Sequence, residues 1–571
     1  MERGFPRSRR RTSMRRLATL CFVACAAGVA ALTRLPQAVH AQGAPSATGA
    51  PAPPPELSTL TPSSVLPSAG PLTPAPAPTP SATPTQPPII VDPSSAGVLL
   101  GGSVTLQVTE VLGTIAATAA NPGLVDLTVD QGMRTVTIVG KQIGVTVVTV
   151  SDARGLTRDV PVRVAYAAGT ISPYASIRVT GDPATEIFLR EQALQAALQG
   201  TTARPGAQIV ASTDDFVVHG ALDTDDVRTV AVPVIVQGQG YITVQGTTSV
   251  RVENFAQPNV PPDSLLVSDF PETLKEDGIL FTANISAKLA ERFLYFHYNP
   301  PDQPERRFVL KVQNSASEPA LVQFIAGVAG PDLNEMQVGH LSTQRFLVRL
   351  AQNEGSVVTI PANSVVSLLA QDLPAKAVVS GLLQLHEISG APLDLTLVAQ
   401  DASDPVDGPL PTSALLVGDH PHARGVYPIP EFFFDYSYYT DGPDLEIPIG
   451  QIPLPNLVQG QTLAGDYGVL QSVTIRMVNY DRHNARQIAL YANPRGGRAT
   501  GTFVIDRVLV QTHAMAPFGN YKLREYTIPP GSFVRTEIVT IPEGGSSYPL
   551  RLVVAPDDGT APPGSPDSLA Y

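Results

Sequence analysis

Short runs in which apolar and polar residues alternate are the feature of this sequence that most constrains its fold. Between residues 89 and 166, Val104, Leu106 and Val108 alternate with polar neighbours, and three further runs repeat the pattern. Glycine, asparagine and aspartate separate these runs. Alternation with period two between turn residues is typical of half-buried strands, so residues 89–166 are predicted to form a small β-sandwich.

Residues 167–260 contain the one helix that the sequence predicts. Asp182 is expected to cap this helix, Pro183 to occupy its first position and Gly200 to end it. The side chains expected on its apolar face are Ile187, Leu194 and Leu198. Strand patterns lie on both sides of the helix, so an α+β domain is predicted here.

The rest of the chain is predicted to hold two tandem, related β-sandwiches, at residues 263–400 and 412–556. Three segments of the first have a counterpart in the second, in the same order. The matched pairs are 265–271 with 415–421, 308–314 with 473–479, and 359–366 with 527–534. The complete prediction is a mainly β, multi-domain protein that ends in a disordered tail at residues 557–571.

The first 41 residues predict export from the cytoplasm. Seven arginines precede an apolar run at residues 17–32, and Val39-His40-Ala41 has the small-x-small form of a signal cleavage site. The run is shorter than the ~20 residues that span a bilayer, so no membrane span is expected in the mature form. Residues 42–88 contain 15 prolines and predict a disordered stalk. The expected location is the periplasm, the cell surface or the surrounding medium.

Charge and cysteine content exclude several classes of function. The chain has 50 acidic and 38 basic residues, and eight of the basic residues lie in the predicted signal. A mature protein this acidic is repelled by nucleic acids, so no nucleic-acid partner is expected. Cys21 and Cys25 are the two cysteines, and both lie in the signal. The mature protein is therefore expected to have no disulfide and no thiolate metal site.

One stretch of the first predicted sandwich resembles a known family. The order of motifs there is Asn121-Pro122, Val125-Asp126, 136–140, 144–150, Asp152 and Gly155. This order resembles the N-terminal domain of bacterial pilus-assembly, secretin-type proteins, and bacterial Ig-like modules share much of the same signature. The resemblance implies a module for envelope assembly or adhesion with no catalytic residue. Nothing after it resembles a secretin channel domain. By strand pattern, the two predicted repeats resemble CARDB-type adhesion modules.

Asp419-His420-Pro421-His422 is the nearest approach to a metal-binding motif. Two histidines at i and i+2 can point the same way from a strand, and Asp419 can add an oxygen ligand. An exposed loop that binds no metal is the alternative. Calcium would be the ion for two acidic clusters, whose alternative is also a solvated loop. These clusters are Asp223, Asp225 and Asp226, and Asp401, Asp404 and Asp407.

Six aromatic residues lie within residues 431–439. The residues predicted as a binding surface are Phe432, Phe434, Tyr436 and Tyr438. Aromatic faces can stack on sugars or pack at a protein interface, since they bury a large area at low entropic cost. The alternative is a strand whose aromatic residues pack in the core or between modules.

The sequence contains no catalytic motif that points to an enzyme. A nucleophile elbow, a zinc-protease helix and a phosphate-binding loop are missing from it. The prediction is a non-catalytic envelope or cell-surface protein that acts in binding, adhesion or assembly of pili or envelope. Its expected partners are envelope or surface proteins, and polysaccharide. A carbohydrate-active or carbohydrate-binding protein and a calcium-stabilised adhesin are the alternatives.

Overall fold

The computed structural model describes residues 87–286, 288–419, 422–458, 462–557 and 559. The predicted signal, nearly all of the predicted stalk and nearly all of the predicted tail lie outside the described residues. The described part of the chain contains 33 strands and two α-helices. The predicted fold class, a mainly β protein built of several sheets, is therefore confirmed.

Eight strands form the first sandwich, as the alternation predicted. They are β1 (Ile90–Asp92), β2 (Ala96–Leu99), β3 (Ser103–Thr109), β4 (Ile115–Ala119), β5 (Val125–Asp130), β6 (Thr135–Gly140), β7 (Gly144–Asp152) and β8 (Thr157–Ala165). One sheet has the order β1-β3-β6-β5 and the other β2-β8-β7-β4. Leu106, Val136 and Ile138 from the first sheet share one core with Val148 and Val160 from the second. Burial of this single face of each sheet is what the alternating pattern encodes.

The next unit places one helix against a sheet. Its elements are β9 (Gly169–Thr170), β10 (Tyr174–Thr180), α1 (Glu186–Gln199), β11 (Thr202–Ala203), β12 (Gln208–Val210), β13 (Val227–Gln237) and β14 (Val244–Asn254). The helix packs on β10, β13 and β14 through Phe188, Leu189 and Leu194. Leu194 was predicted on this face, but Ile187 is exposed, so its predicted burial is wrong.

Helix α1 begins three residues after the predicted first position. Its N-cap is Thr185, whose side-chain oxygen accepts a hydrogen bond from the Phe188 amide at 3.4 Å. Asp182 and Ala184 instead donate their amides to the carbonyls of Gln352 and Leu222, which holds this segment outside the helix. The predicted start at Pro183 is therefore wrong because tertiary bonds compete for the backbone. Gly200 ends the helix, as predicted.

A third group of elements follows residue 263. They are β15 (Ser264–Ser268), β16 (Gly278–Ile285), β17 (Ala290–Tyr298), β18 (Arg306–Asn314), β19 (Ala320–Asp332), α2 (Glu335–Ala351), β20 (Gly355–Ile360), β21 (Ser364–Leu373), β22 (Val378–Ser389), β23 (Leu393–Asp401) and β24 (Arg424–Tyr427). Sheet β16-β23-β18-β21 packs on the β19, β22 and β17 part of a larger sheet.

That larger sheet has ten strands and continues across the predicted boundary near residue 260. Its order is β12-β13-β14-β10-β20-β19-β22-β17-β15-β24. Strand β10 pairs antiparallel with β20, from Arg178 with Val357 to Thr180 with Gly355. At this seam the buried Thr180 hydroxyl accepts a hydrogen bond from the Gln323 amide at 2.9 Å. The α+β unit and the first repeat are thus joined by backbone pairing, while the domain boundaries themselves stay a prediction.

Helix α2 was not predicted from the sequence. It lies between β19 and β20, with Asn334 as its N-cap and Arg349 in its last turn. Val338, Phe346 and Leu347 are buried on it. The cap and the spacing of these apolar residues were the signals available, but His340, Ser342 and Thr343 are also buried and interrupt the apolar face.

Nine strands form the second repeat. They are β25 (Glu431–Tyr439), β26 (Leu445–Ile449), β27 (Leu470–Val478), β28 (Arg486–Pro494), β29 (Ala499–Ile505), β30 (Val508–Met515), β31 (Tyr521–Ile528), β32 (Phe533–Thr540) and β33 (Leu550–Pro556). Its sheets have the orders β25-β27-β32-β29-β30 and β26-β33-β28-β31. Val473, Ile475 and Ile538 from the first sheet meet Leu490 and Leu552 from the second in one core.

Two of the three matched segment pairs occupy equivalent positions in the repeats. The buried Asn314 amide donates to the Ile360 carbonyl at 3.1 Å, and the buried Asn479 amide donates to the Ile528 carbonyl at 3.2 Å. The order β20-β19-β22-β17 also corresponds to β31-β28-β33-β26. The third pair is not equivalent, since 265–271 begins in the buried strand β15 whereas Leu415 and Val417 are exposed.

Candidate functional site

The predicted metal motif is split between two ion-pair groups. The Asp419 carboxylate pairs with the Lys275 ammonium group, and both side chains are exposed. The His422 ring lies between two carboxylates, with Nδ1 3.3 Å from an Asp269 oxygen and Nε2 3.0 Å from a Glu272 oxygen. Both ring nitrogens therefore face acceptors, and the hydrogen bond to Asp269 raises the pKa of His422. When protonated, the ring can donate a hydrogen bond to each of the two carboxylates.

No metal-binding cluster is assembled in the part of the chain that the structure describes. His420 lies outside the described residues. In the acidic cluster near residue 401, the Asp401 carboxylate accepts hydrogen bonds from the Ser403 amide and hydroxyl at 2.8 and 2.6 Å. These internal bonds are those of a loop turn. Metal and calcium binding at the predicted residues stay predictions.

The matched segments 265–271 and 415–421 meet at Gly418, where an added Cβ would lie 2.9 Å from Pro271 and 3.3 Å from the Phe270 ring. Asp269 belongs to the first segment, and Glu272 and His422 directly follow the two segments. The Asp269 amide also donates to the Ala423 carbonyl at 2.9 Å. Burial raises the pKa of Asp269 to about 6, although the bond to His422 opposes this. These contacts thus join the first repeat to the first residues of the predicted second repeat.

The four predicted binding aromatics lie on the inner face of β25. Phe434, Tyr436 and Tyr438 pack on the core of the second repeat, and Phe432 packs on the cluster between the repeats. Tyr438 is only 2% exposed. This placement is the one described by the packing alternative, and a binding role for these four side chains stays a prediction.

The outer face of the same sheet carries an exposed group of aromatic and basic side chains at one end. We call it the aromatic–arginine surface, and it consists of Tyr439, Tyr480, Phe533, Arg476 and Arg535. The Tyr439 and Tyr480 rings are stacked, with centroids 5.7 Å apart and planes 11° apart. The Arg476 guanidinium lies 4.3 Å from the centroid of Phe533. The three rings are 43%, 63% and 53% exposed.

Sequence reasoning missed the aromatic–arginine surface. Strand β27 lies between β25 and β32, with Tyr439 opposite Val478 and Phe533 also opposite Val478. The three positions therefore form a row across the sheet. Tyr439 was within the predicted aromatic run, but Phe533 is 94 positions away and only the strand register brings it near. The odd positions of β25, which the prediction did not select, carry the exposed side chains.

The opposite end of this outer face is covered by helix α2. Ile541 belongs to the same hydrophobic cluster between the repeats as Phe346 and Leu347 of α2, and Val539 packs against that cluster. Gly339 of α2 lies so close to the second repeat that an added Cβ would be 1.7 Å from the Gly544 carbonyl oxygen. Only glycine permits this approach. The two repeats are thus docked through the helix and not merely linked.

A closed polar network, which we call the junction cluster, sits under α2. It consists of His340, Glu543, Gln511, Thr500 and Thr502. His340 Nδ1 is 3.0 Å from a Glu543 oxygen, and Nε2 is 3.0 Å from the Gln511 side-chain oxygen. Both threonine hydroxyls donate to the Glu543 carboxylate at 2.6 Å. His340 and Glu543 are both fully buried.

Mutual charge determines the protonation of the junction cluster. Burial would lower the pKa of His340, but the Glu543 charge and the hydrogen bonds outweigh this and raise it. Burial would raise the pKa of Glu543, but His340 and the two hydroxyls lower it. The cluster is therefore an ion pair with satisfied hydrogen bonds, and its two charged side chains are fully buried.

A second ion pair, with a fully buried arginine and a partly buried glutamate, joins the repeats. Arg292 on β17 donates to the Glu431 carboxylate and to the Pro430 carbonyl, each at 2.8 Å. Its guanidinium also lies 5.6 Å from the Phe346 ring of α2. The most buried charged groups between the repeats are thus used to hold modules together. Of the helices that the structure describes, neither has the length and apolar character to span a membrane.

Comparison with known proteins identifies no family. No family model matches the chain, and no curated protein matches it. The resemblances to pilus-assembly and CARDB modules therefore stay predictions.

Solved structures with partial similarity include a surface-layer protein, an insect immune protein and a protein in complex with a heptasaccharide. Domains 1–6 of the surface layer protein SbsC are 17% identical over 29% of this chain and 26% of theirs, with a TM-score of 0.15. The insect immune protein hemolin is 7% identical over 36% and 63%, with a TM-score of 0.15. A Bacteroides ovatus protein, SGBP-B, bound to a mixed-linkage heptasaccharide, is 10% identical over 50% and 70%, with a TM-score of 0.13. The chain spans about a quarter of the SbsC structure. TM-scores this low establish no common architecture, and no function is carried over from these proteins.

Proposed function

We propose that the protein acts outside the cytoplasm as a non-catalytic surface protein, in adhesion or in the assembly of pili or envelope. The observation that carries this proposal is where its polar and aromatic groups lie: one set is between modules and another is on the outer surface. The His340–Glu543 pair and the Arg292 guanidinium are buried between modules, and Glu431 is partly buried beside Arg292. The aromatic–arginine surface faces outward. Such a molecule is built to keep its modules in place and to present an outer face.

The docking of the modules supports a scaffolding role. The ten-stranded sheet makes the α+β unit and the first repeat continuous, and α2 docks the second repeat on the first. A rigid series of modules holds its outer faces at constant separation, because few freely rotating joints remain. The predicted signal and stalk would place this series beyond the membrane, at the end of an extended tether.

Cell fractionation tests the proposal. The full-length chain, tagged at its C-terminus, is expressed in its native cell, and the cytosol, envelope and medium are probed separately. The expected product is shortened by the 41-residue leader, lies outside the cytosol and is crosslinked to envelope proteins by a membrane-impermeant reagent. A Leu20→Arg variant, in which the apolar run is interrupted, serves as the matched control and should stay uncleaved in the cytosol. Recovery of the wild-type chain intact from the cytosol would contradict the proposal.

A further inference from the structure

Two arginines of the aromatic–arginine surface oppose each other directly across neighbouring strands. Arg476 on β27 is paired in register with Arg535 on β32, and both side chains are exposed. Like charges at directly opposite positions destabilise a sheet. Glu537 lies 3.3 Å from Arg535 and partly offsets this cost, whereas Arg476 forms no salt bridge within the described residues. The pairing is unusual in a chain with a net charge of −12.

An anionic ligand would turn this repulsion into attraction. Guanidinium groups donate two parallel hydrogen bonds to a carboxylate, sulfate or phosphate, and a pair of them can hold one such group between them. Arg476 is also held against the Phe533 ring, which limits the rotamer entropy that it would lose on binding. The charge pattern therefore selects for a ligand with negative groups.

The aromatic rings beside the arginines favour a ligand that also contains sugar rings. The row from Tyr439 to Phe533 crosses two strand spacings, which is about 10 Å. Flat, exposed rings at this spacing can stack on the apolar faces of successive sugar rings, and the tyrosine hydroxyls can bond to sugar hydroxyls. A protein partner would require ~800 Å² on each side, whereas α2 already covers the other end of this face.

We propose that the aromatic–arginine surface binds an anionic polysaccharide, with its rings stacked on the sugars and its two arginines on the acidic substituents. This inference rests on the proposed function, since it supplies a ligand for the outward face of an exported protein. It involves no covalent step. It also assigns the exposed positions Tyr439, Tyr480 and Phe533, instead of the inner aromatics of β25, as the contacts.

Binding is tested with the mature full-length chain by affinity electrophoresis and calorimetry. The probes are alginate, dextran sulfate and neutral dextran, so that the last two share a backbone and differ in charge. The expected result is binding to at least one of the two anionic polymers, and weaker binding to dextran. Affinity should fall as salt rises, because exposed charges are screened. Binding to neither of the two anionic polymers would overturn the inference.

Variants locate the site. Tyr439→Ala with Tyr480→Ala should weaken binding about tenfold, which corresponds to about 1.4 kcal/mol. Arg476→Gln should weaken binding to the anionic polymer and reduce its salt dependence. Phe518→Ala is the matched control, since Phe518 is an exposed ring of the same repeat 5.6 Å from Arg495. Unchanged binding by the tyrosine and Arg476 variants, with wild-type melting curves, would overturn the assignment.

Two further probes separate other classes of ligand. Polyglutamate represents an acidic polypeptide, and vesicles with phosphatidylserine represent an anionic membrane. Tighter binding to either than to the anionic polysaccharides would overturn the inference in favour of that class. The fractionation experiment is independent of all these probes. An exported protein that binds neither anionic polymer refutes the ligand alone, whereas cytosolic retention refutes the proposed function.

Discussion

Replacing His340 by alanine should destabilise the docking of the second repeat more than most substitutions in this chain. His340 and Glu543 are both fully buried, and their charges are paired at 3.0 Å. After the substitution Glu543 keeps its two threonine hydrogen bonds but loses its cation. Removal of one partner of a buried pair costs about 3–5 kcal/mol of unfolding free energy, because the other charge is left uncompensated.

Differential scanning calorimetry measures this effect. For a unit of 150–250 residues, each kcal/mol shifts the melting temperature by about 2–4 °C, so a fall of roughly 6–20 °C is expected in the transition that includes α2 and the second repeat. His483→Ala is the control, since His483 is exposed and should change stability by no more than ~0.5 kcal/mol. A His340→Ala variant that melts with the control would refute the reasoning.

The pH dependence of the same transition gives a second test. Because the pKa of His340 is raised in the fold, its contribution is complete below 6.5 and is lost as pH rises through the folded value. Because the pKa of Glu543 is lowered, its contribution is present above 4.5 and is lost as pH falls through the folded value. Buried Tyr548 stays neutral in this range, since its pKa is raised. The pair therefore stabilises most between these limits, and a His340→Gln, Glu543→Gln double variant should flatten the profile.

Four other substitutions have defined outcomes. Gly339→Ala should lower the free energy of unfolding by about 1–3 kcal/mol, because its Cβ would meet backbone of the second repeat. The melting temperature of the same calorimetric transition should fall, and an unchanged transition would refute the close approach. Asn314→Ala and Asn479→Ala should each lower the free energy of unfolding of their own repeat by about 1–3 kcal/mol, because each leaves buried carbonyls without a donor. Chemical denaturation measures both effects, and a loss of stability in one variant with a gain in the other would contradict their equivalence. Burial raises the pKa of Glu354 to about 7, so above that pH its negative charge opposes folding. Glu354→Gln should therefore raise the melting temperature above pH 7 but not at pH 4, and a higher melting temperature at pH 4 alone would contradict this.

Much of the fold could be read from local patterns, and the errors have local causes. The alternation around Leu106 predicted the first sandwich, and Gly200 marked the end of α1. The start of α1 was misplaced because distant carbonyls engage the amides of the preceding segment. Helix α2 was missed because His340 makes a buried face look polar until its partners on the second repeat are known.

The candidate site shows the same limit. The aromatic run on β25 was visible in the sequence, but alternation states only that the strand has two faces. It does not state which face meets a core. Arg476 and Arg535 become neighbours through strand register across 59 positions.

By itself the sequence determined that the protein is built of β modules and that a proline-rich segment precedes them, and it predicts a leader and a relation between two of the modules. These properties depend on residues close together along the chain. Tertiary structure alone decided which aromatic rings face outward, that one sheet crosses two predicted units, and that His340 meets Glu543 203 positions away. Each of these depends on which surfaces exclude water against each other, and that is a property of the assembled fold.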